Sequence, residues 1–282
     1  MVYIPSGSIR SIVSHLAQKG YDLSGMDSLV LRMMGSPQQG WITIGSDLVR
    51  RGDFLYRLTT AKAAMAEVKL IPGETTPLVL DAISRSMALP RQPLETYYES
   101  HALFADGVLV PESYHIPIGA DAHFTMEYLL RVSMKWHEAW AEHYYGRFEP
   151  REWFRIVTIA SVVEKEAANR EEMPLVASVI YNRLAKGMRL QMDGTLNYGI
   201  YAHQKVTPDR IRRDKSAFNT YKYRGLPPYP VCIVSHDAIE AAVHPAQTDY
   251  LYFVRGASGA HTFSKSYSDH LDNIKNVNNR NN

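Results

Sequence analysis

Two carboxylates stand out in the segment 159–167, IASVVEKEA, because its other residues are typical of a buried helix. A carboxyl group in apolar surroundings keeps its proton to a higher pH and can then act as a general acid. With about 100° between residues, Glu164 lies about 80° and Glu166 about 280° from Ile156, on opposite sides of the helix. The two glutamates therefore cannot share one proton. The simpler alternative is that both are ordinary charges at the edge of an apolar face.

The helical neighbours of the two glutamates differ in size. Glu164 lies among alanine and serine side chains, which leave room for a ligand. Glu166 lies beside the bulkier Ile159 and Val162, and Arg170 follows at the spacing of an i,i+4 ion pair. This pattern favours Glu164 as the acid and gives Glu166 a supporting role.

Two polar segments follow the glutamate helix, LQMDGTLNYG and FNTYKYRGLPPYP. Aromatic rings can cover the apolar faces of sugars, while amide and carboxylate groups bind sugar hydroxyls. Taken singly, each segment also fits simple turn chemistry. Taken together with a nearby glutamate, they favour a glycan cleft, and the predicted sugar-binding residues are Gln191, Asp193, Thr195, Tyr198, Asn219 and Tyr221.

The composition argues against several other classes of function. The 31 basic and 29 acidic residues nearly balance, whereas a nucleic-acid-binding protein usually carries a concentrated basic face. The single cysteine, Cys232, cannot form an intrachain disulfide or a thiolate metal site. Eleven histidines include no pair with metal-ligand spacing on one helical turn, so we expect no metal and no cofactor. His261, in GAHTFS, is a weak candidate for orienting the site loops.

The elements that must position these residues indicate an α+β fold. Segments 2–16 and 68–83 each combine an apolar strand, an Ile-Pro turn and an amphipathic helix, with Ser8 and Thr75 as candidate caps. Such a unit resembles half of a LysM module, so we expect a small LysM-like N-terminal region at 1–105 and a larger mixed α/β catalytic domain at 106–282. The predicted elements of the second region are strands in DGVLVPESYHIPIG and DYLYFVRG and helices at 151–168, 173–186 and 236–242.

The motifs of the second region carry a specific resemblance. The stretches IASVVEKEA, VASVIYNRLAKGMRLQMDGTLNYG, AFNTYKYRGLPPYP and HTFSKSYSDH, in this order, resemble the YceG-like family of endolytic murein transglycosylases. The likeness runs from about Asp106 to His270. This sequence departs from the family pattern at Gly194, where proline is usual, and in PPYPVCIVSHDAIEAA.

The resemblance implies cleavage of the β-1,4 bond between N-acetylmuramic acid and N-acetylglucosamine without water. The muramoyl 6-hydroxyl attacks its own anomeric carbon and leaves a 1,6-anhydro end. By position in the motif, we expect Glu164 to be the acid and then the base, with Glu166 and His261 behind the residues that touch substrate. Two alternatives stay open: a hydrolysing muramidase with Asp193 as second carboxylate, and a peptidoglycan-binding protein without activity.

The expected partners are peptidoglycan strands and, by resemblance, enzymes of cell-wall synthesis, with no nucleic acid. The resemblance also implies a single-pass inner-membrane protein whose catalytic domain faces the periplasm. No run in this sequence approaches the roughly 18 apolar residues of a membrane helix. We therefore expect the N-terminal anchor to lie outside this chain.

Overall fold

The computed structural model of the chain describes residues 1–45, 49–256 and 258–280. Within these residues the secondary structure is mainly helical, with three two-stranded antiparallel sheets, which confirms the α+β class. The strands are β1 (Val2–Ile4), β2 (Gly40–Ile42), β3 (Met65–Lys69), β4 (Ser113–Pro117), β5 (Tyr252–Arg255) and β6 (His261–Ser264). The α-helices are α1 (Ile9–Gln18), α2 (Asp27–Met34), α3 (Arg51–Thr60), α4 (Thr76–Met87), α5 (Arg91–His101), α6 (Ala122–Tyr145), α7 (Pro150–Glu166), α8 (Met173–Ala185), α9 (Pro208–Arg213), α10 (His236–Val243) and α11 (Tyr267–Arg280).

The chain divides into two compact units, each made of several segments. Unit 1 comprises Met1–Lys69, Leu80–Ser100 and Ser113–Leu129, and unit 2 comprises Leu70–Val79, His101–Glu112 and Leu130–Asn282. The predicted domain division at residue 106 stays a prediction.

Unit 1 contains the pairs β1–β2 and β3–β4. Val2 faces Ile42 in the first pair, and Met65 faces Pro117 in the second. The predicted cap Ser8 is confirmed, since its hydroxyl accepts a hydrogen bond from the backbone N–H of Ser11 at the start of α1. Apolar side chains from β1, β2, α1, α2 and α3 form the core of this unit.

Helix α7 runs through the core of unit 2. Pro150 occupies its first turn, where a missing N–H costs nothing, and the helix ends at Glu166. Nine consecutive or near-consecutive side chains from Trp153 to Val163 are buried, so most of its circumference packs against protein, chiefly α8 and α10. A helix buried on this scale has little freedom to rotate or slide, and its last residues are therefore held in place.

A buried histidine fixes the first half of α7. The indole N–H of Trp153 donates to Nδ1 of His137 at 3.0 Å, and Nε2 of His137 lies 3.1 Å from the carbonyl of Val108. This arrangement requires a neutral ring with its proton on Nε2. Burial lowers the pKa of His137 to about 4, although the backbone carbonyls partly oppose the shift.

One predicted strand is not formed. Residues 108–110 are almost completely buried, but the carbonyl of Val108 is bound by His137 and the N–H of Val110 by the hydroxyl of Ser133. Side chains of α6 thus satisfy backbone groups that a neighbouring strand would otherwise bind. The apolar run VLV reflects burial here and not strand pairing.

Candidate active site

A cavity of about 390 Å³ in unit 2, which we call the glutamate cavity, lies at the C-terminal end of α7. Four of the predicted site residues line it, and most of its other lining residues come from α8, β5 and α11. The lining residues are Glu166, Arg183, Leu190, Gln191, Met192, Asp193, Tyr221, Tyr252, Phe253, Tyr267 and His270. It therefore combines carboxylates, one guanidinium and several aromatic rings in one space.

Glu166 is the last residue of α7 and the acidic group best suited to proton transfer in this cavity. Its Oε1 accepts a hydrogen bond of 2.6 Å from the backbone N–H of Gly194. Burial, helped by the charge of Asp193 and opposed by the Gly194 N–H and Arg183, raises its pKa from 4.5 to about 7. A carboxyl group with a pKa near 7 can give up and take back a proton near neutral pH.

Gly194 approaches Glu166 so closely that a larger residue does not fit. A Cβ atom at this position would lie 2.5 Å from Cβ of Lys165 and 2.9 Å from Oε1 of Glu166. A proline, the residue usual in the family pattern, would also lack the N–H that donates to Glu166. The departure noted in the sequence therefore gives this chain a main-chain donor to Glu166.

Asp193 and Tyr221 form one side of the glutamate cavity. The phenol of Tyr221 donates to Oδ1 of Asp193 at 2.7 Å, and both side chains line the cavity. Burial, followed by the hydrogen bond to Asp193, raises the pKa of Tyr221. Gln191 lies next to them with an exposed side chain and a φ of 51°, a backbone conformation that is uncommon outside glycine.

Arg183 is a cavity residue that the sequence reasoning missed. It is only 7% exposed, and its guanidinium donates to the carbonyls of Leu251 at 2.6 Å and Leu190 at 2.5 Å. It also lies over the ring of Tyr252, 5.2 Å from the ring centroid. Arg183 falls on the same helical face as the buried Val176 and Ile180. A charged residue on an otherwise apolar helical face could have indicated a buried functional group from the sequence alone.

The aromatic wall opposite was missed as well, because its residues come from the distant segment 252–270. The rings of Tyr252 and His270 stack with centroids 5.2 Å apart. Burial, together with the charge of Arg183, lowers the pKa of His270. Nδ1 of His270 is buried and, within the part of the chain that the structure describes, has no hydrogen-bond partner.

Glu164 faces a different part of the protein. Its Oε2 accepts two hydrogen bonds from Ser235, one from the backbone N–H at 3.0 Å and one from the hydroxyl at 2.6 Å. Ser235 is also the N-cap of α10, where its hydroxyl accepts from the N–H of Ala238. Gly73 lies against its aliphatic part. Glu164 is half-buried and, among the described residues, is not part of the lining of the glutamate cavity.

Two predicted sugar-binding residues are buried in the loop framework. The side chain of Thr195 donates to the carbonyl of Met192 at 2.7 Å and lies 2.9 Å from the hydroxyl of Thr220. The amide of Asn219 donates to the carbonyls of Ile211 and Asp214, each at 2.8 Å. Both residues are 0% exposed. They hold the loops that carry Asp193 and Tyr221.

Tyr198 and His261 also make contacts within the protein. Tyr198 stacks on Phe218 with ring centroids 4.2 Å apart. His261 binds Glu172 with both its backbone N–H, at 2.8 Å, and its ring Nδ1, at 2.7 Å. The structure therefore brings Glu166, Gln191, Asp193 and Tyr221 together, and places Tyr198 and His261 in neighbouring contacts.

No group of three or more His, Cys, Asp or Glu side chains in 1–45, 49–256 and 258–280 is arranged to hold a metal ion. None of the helices in the same residues combines the length and apolarity needed to cross a bilayer.

A cavity of about 340 Å³ in unit 1 is bordered by Tyr21, Phe54 and Arg51. The guanidinium of Arg51 is already bound by Asp27.

Comparisons with known proteins agree with these motifs. The endolytic murein transglycosylase of Bacillus subtilis (strain 168) is 33% identical over 167 residues, 58% of this chain and 46% of that protein. The endolytic murein transglycosylase of Streptococcus pneumoniae serotype 2 (strain D39) is 31% identical over 235 residues, 79% of this chain and 40% of that protein. The chain thus spans less than half the length of these curated relatives.

A solved structure extends the likeness to the whole fold. The crystal structure of a yceG-like protein from Listeria monocytogenes superposes with a TM-score of 0.63 at 25% identity, covering 96% of this chain and 97% of that one. The family model described as the YceG-like family matches residues 2–276. A match of this extent shows the family directly, and the chain belongs to the YceG-like family.

Proposed function

We propose that this chain is a peptidoglycan lytic transglycosylase that cleaves the β-1,4 bond between N-acetylmuramic acid and N-acetylglucosamine and leaves a 1,6-anhydro end. The names of its curated relatives support the reaction class. The observation that carries the proposal is Glu166, a carboxyl group with a pKa of about 7 in a cavity lined by aromatic and polar side chains.

In the proposed reaction Glu166 starts protonated. It gives its proton to the departing glycosidic oxygen as the bond to the anomeric carbon breaks. The carboxylate then takes the proton of the muramoyl 6-hydroxyl, whose oxygen closes the 1,6-anhydro ring on the same carbon. One group thus acts as acid and then base, and regains its proton at the end of the cycle.

The surrounding residues have separate tasks in this proposal. The N–H of Gly194 holds Oε1 of Glu166, which leaves Oε2 free for the proton transfers. Asp193, held by Tyr221, supplies negative charge beside the cationic character that develops at the anomeric carbon. The stacked aromatic rings cover a sugar face.

Glu164, the candidate from the sequence, remains the competing assignment. Its Oε2 is held by Ser235 and it faces away from the glutamate cavity, which favours Glu166. Mass spectrometry of the fragments released from purified murein tests the two assignments together. We expect Glu166→Gln to abolish anhydro products and Glu164→Gln to retain them. The opposite result would assign the acid to Glu164.

The same measurement separates the alternative functions. A muramidase that uses Asp193 as its second carboxylate would release reducing ends in place of anhydro ends. A binding protein without activity would bind murein in sedimentation and release no fragments from it. The remaining expectations are also proposals: a LysM-like unit 1 that contacts glycan, cell-wall synthesis partners, and action outside the cytoplasmic membrane behind an N-terminal anchor.

A further inference from the structure

A second cavity of unit 2, of about 330 Å³, lies along the N-terminal half of α7. We call it the arginine cleft. One side is formed by Arg151 and Arg155 of α7, with Phe154 between them. The other side is formed by the rigid segment Leu226–Tyr229, which contains two consecutive prolines. The cleft is therefore apolar across its walls and cationic along one edge.

The two arginines are placed to receive an anion. They are four residues apart, so their side chains leave the same face of α7. Both are exposed, and within the residues that the structure describes neither takes part in an ion pair. In contrast, Arg147, just before the helix, is paired with Glu152 at 2.8 Å. No acidic residue lines the arginine cleft, so its charge is not neutralised from within.

The position of the cleft relates it to the glutamate cavity. Glu166 lies eleven positions after Arg155, which on a helix is about 16 Å of length and a rotation of only about 20°. Arg155 and Glu166 thus leave α7 on the same side, and the residues between them on that side, Ile159 and Val162, are completely buried. The segment between Tyr221, which lines the glutamate cavity, and Tyr229, which lines the arginine cleft, connects the two cavities along the chain.

We propose that the arginine cleft is a second binding site, for the free carboxylate end of a short peptide. The carboxylate pairs with Arg151 and Arg155, and aliphatic side chains of the peptide pack on Leu226, Pro228 and Tyr229. Arginine binds carboxylates with two parallel hydrogen bonds, which suits this geometry. The inference rests on the proposed function in one respect: murein carries short peptides with free carboxylates on its muramoyl residues.

Two forms of the substrate test this site. Intact murein strands carry the peptides, and strands treated with an amidase have lost them. The variant Arg151→Ala/Arg155→Ala should raise the KM for peptide-bearing strands roughly fivefold or more, since each exposed ion pair contributes up to about 1 kcal/mol. Its KM for stripped strands and its kcat on both should match the wild type. Arg212→Ala/Arg213→Ala removes the same charge from α9, outside the cleft, and is the matched control.

A binding experiment keeps the cleft testable apart from catalysis. The probes are a tetrapeptide with a free C-terminal carboxylate, the same peptide as its C-terminal amide, and inorganic phosphate, each titrated into the full chain and followed by NMR. We expect the free acid to bind several-fold more tightly than the amide, and Arg151→Ala/Arg155→Ala to abolish the difference. If wild type released no anhydro fragments but this preference held, the proposed reaction would fail and the peptide site would stand.

Three results would overturn the peptide site. The first is equal binding of the acid and the amide. The second is an equal rise of KM for peptide-bearing and stripped strands in the arginine variant, which would indicate a general change in the site. The third is phosphate binding at the cleft that the free-acid peptide does not displace, which would identify a site for phosphate anions instead.

Discussion

Replacing Glu166 by glutamine should change the pH dependence of stability in a defined way. The wild-type carboxyl group has a pKa of about 7 in the folded chain, against 4.5 for an ordinary glutamate. The folded state therefore holds this proton more tightly than the unfolded state. The stability contributed by protonated Glu166 is fully present below pH 4.5 and is lost as the pH rises through about 7.

The size of the effect follows from the two pKa values. One pKa unit equals about 1.4 kcal/mol, so the change from 4.5 to about 7 corresponds to about 3 kcal/mol at high pH. About 2.5 kcal/mol of this falls between pH 5 and pH 8. Glutamine has the same shape and can still accept from the N–H of Gly194, but it does not ionise. We therefore expect Glu166→Gln to gain about 2.5 kcal/mol over wild type between pH 5 and pH 8.

Urea unfolding at several pH values measures this difference. The free energy of unfolding of wild type and Glu166→Gln is extrapolated to water at each pH, and only the change in their difference is interpreted. Groups that titrate equally in both proteins cancel in that difference. The side-chain 13C signal of Glu166, assigned by its loss in the variant, gives the pKa independently.

Parallel stability curves for the two proteins from pH 5 to pH 8 would refute the reasoning. So would a 13C titration midpoint near 4.5. Either result would mean that Glu166 is ionised at neutral pH, and it would then be unsuited to the acid step. A midpoint near 7 together with full activity of Glu166→Gln would preserve the electrostatics and remove the catalytic assignment.

Three further changes have defined outcomes. Gly194→Ala places a Cβ 2.5 Å from that of Lys165 and should cost about 2 kcal/mol of unfolding free energy, measured in urea; unchanged stability would contradict the close approach. Ser235→Ala removes the helix cap and one hydrogen bond to Glu164, and should lower the free energy of unfolding by about 1–2 kcal/mol, measured by thermal unfolding. Ser235→Thr keeps the hydroxyl and should keep most of the stability. Because the pKa of His137 falls from 6.5 to about 4, the unfolded state takes up its proton first, and stability is lost as the pH falls from 6.5 towards 4; His137→Gln should reduce that acid loss by up to about 3 kcal/mol, and equal acid profiles would refute it.

The helical part of unit 2 was predictable because its signals are local. Helices expected at 151–168, 173–186 and 236–242 occur at Pro150–Glu166, Met173–Ala185 and His236–Val243. Pro150 and Gly187 mark the start of one helix and the end of another by properties of their own backbones. Spacing also showed correctly that the two glutamates face opposite sides of α7.

Helical neighbours alone do not decide between Glu164 and Glu166, and the assignment of the acid stays a proposal. Small residues around Glu164 suggested space for a ligand, but Ser235, 71 positions away, binds its carboxylate. The bulky side of the helix near Glu166 borders the cavity, because the loop at Gly194 and the wall from β5 and α11 close around it. Which face of a helix meets open space depends on tertiary contacts that no local pattern contains.

The sequence also could not tell which polar loop residues face a ligand and which bind within the loops. Thr195 and Asn219 have side chains suited to sugar hydroxyls, yet their hydrogen-bonding groups are used within the loops. A buried polar side chain and a ligand-binding one look alike in sequence, since both need donors and acceptors. Arg183 was missed for a different reason, since a charge on an apolar helical face is visible without the structure.

Glu166 is the last residue of α7, and this position has an electrostatic consequence of its own. The final carbonyls of a helix are unpaired and give its C-terminus a partial negative charge, which disfavours an anion there by about 0.3–1 kcal/mol. The place where α7 stops therefore helps to keep Glu166 protonated. Insertion of one further helical turn after Glu166 would move that partial charge away and make the group a stronger acid, even with every side chain of the glutamate cavity unchanged.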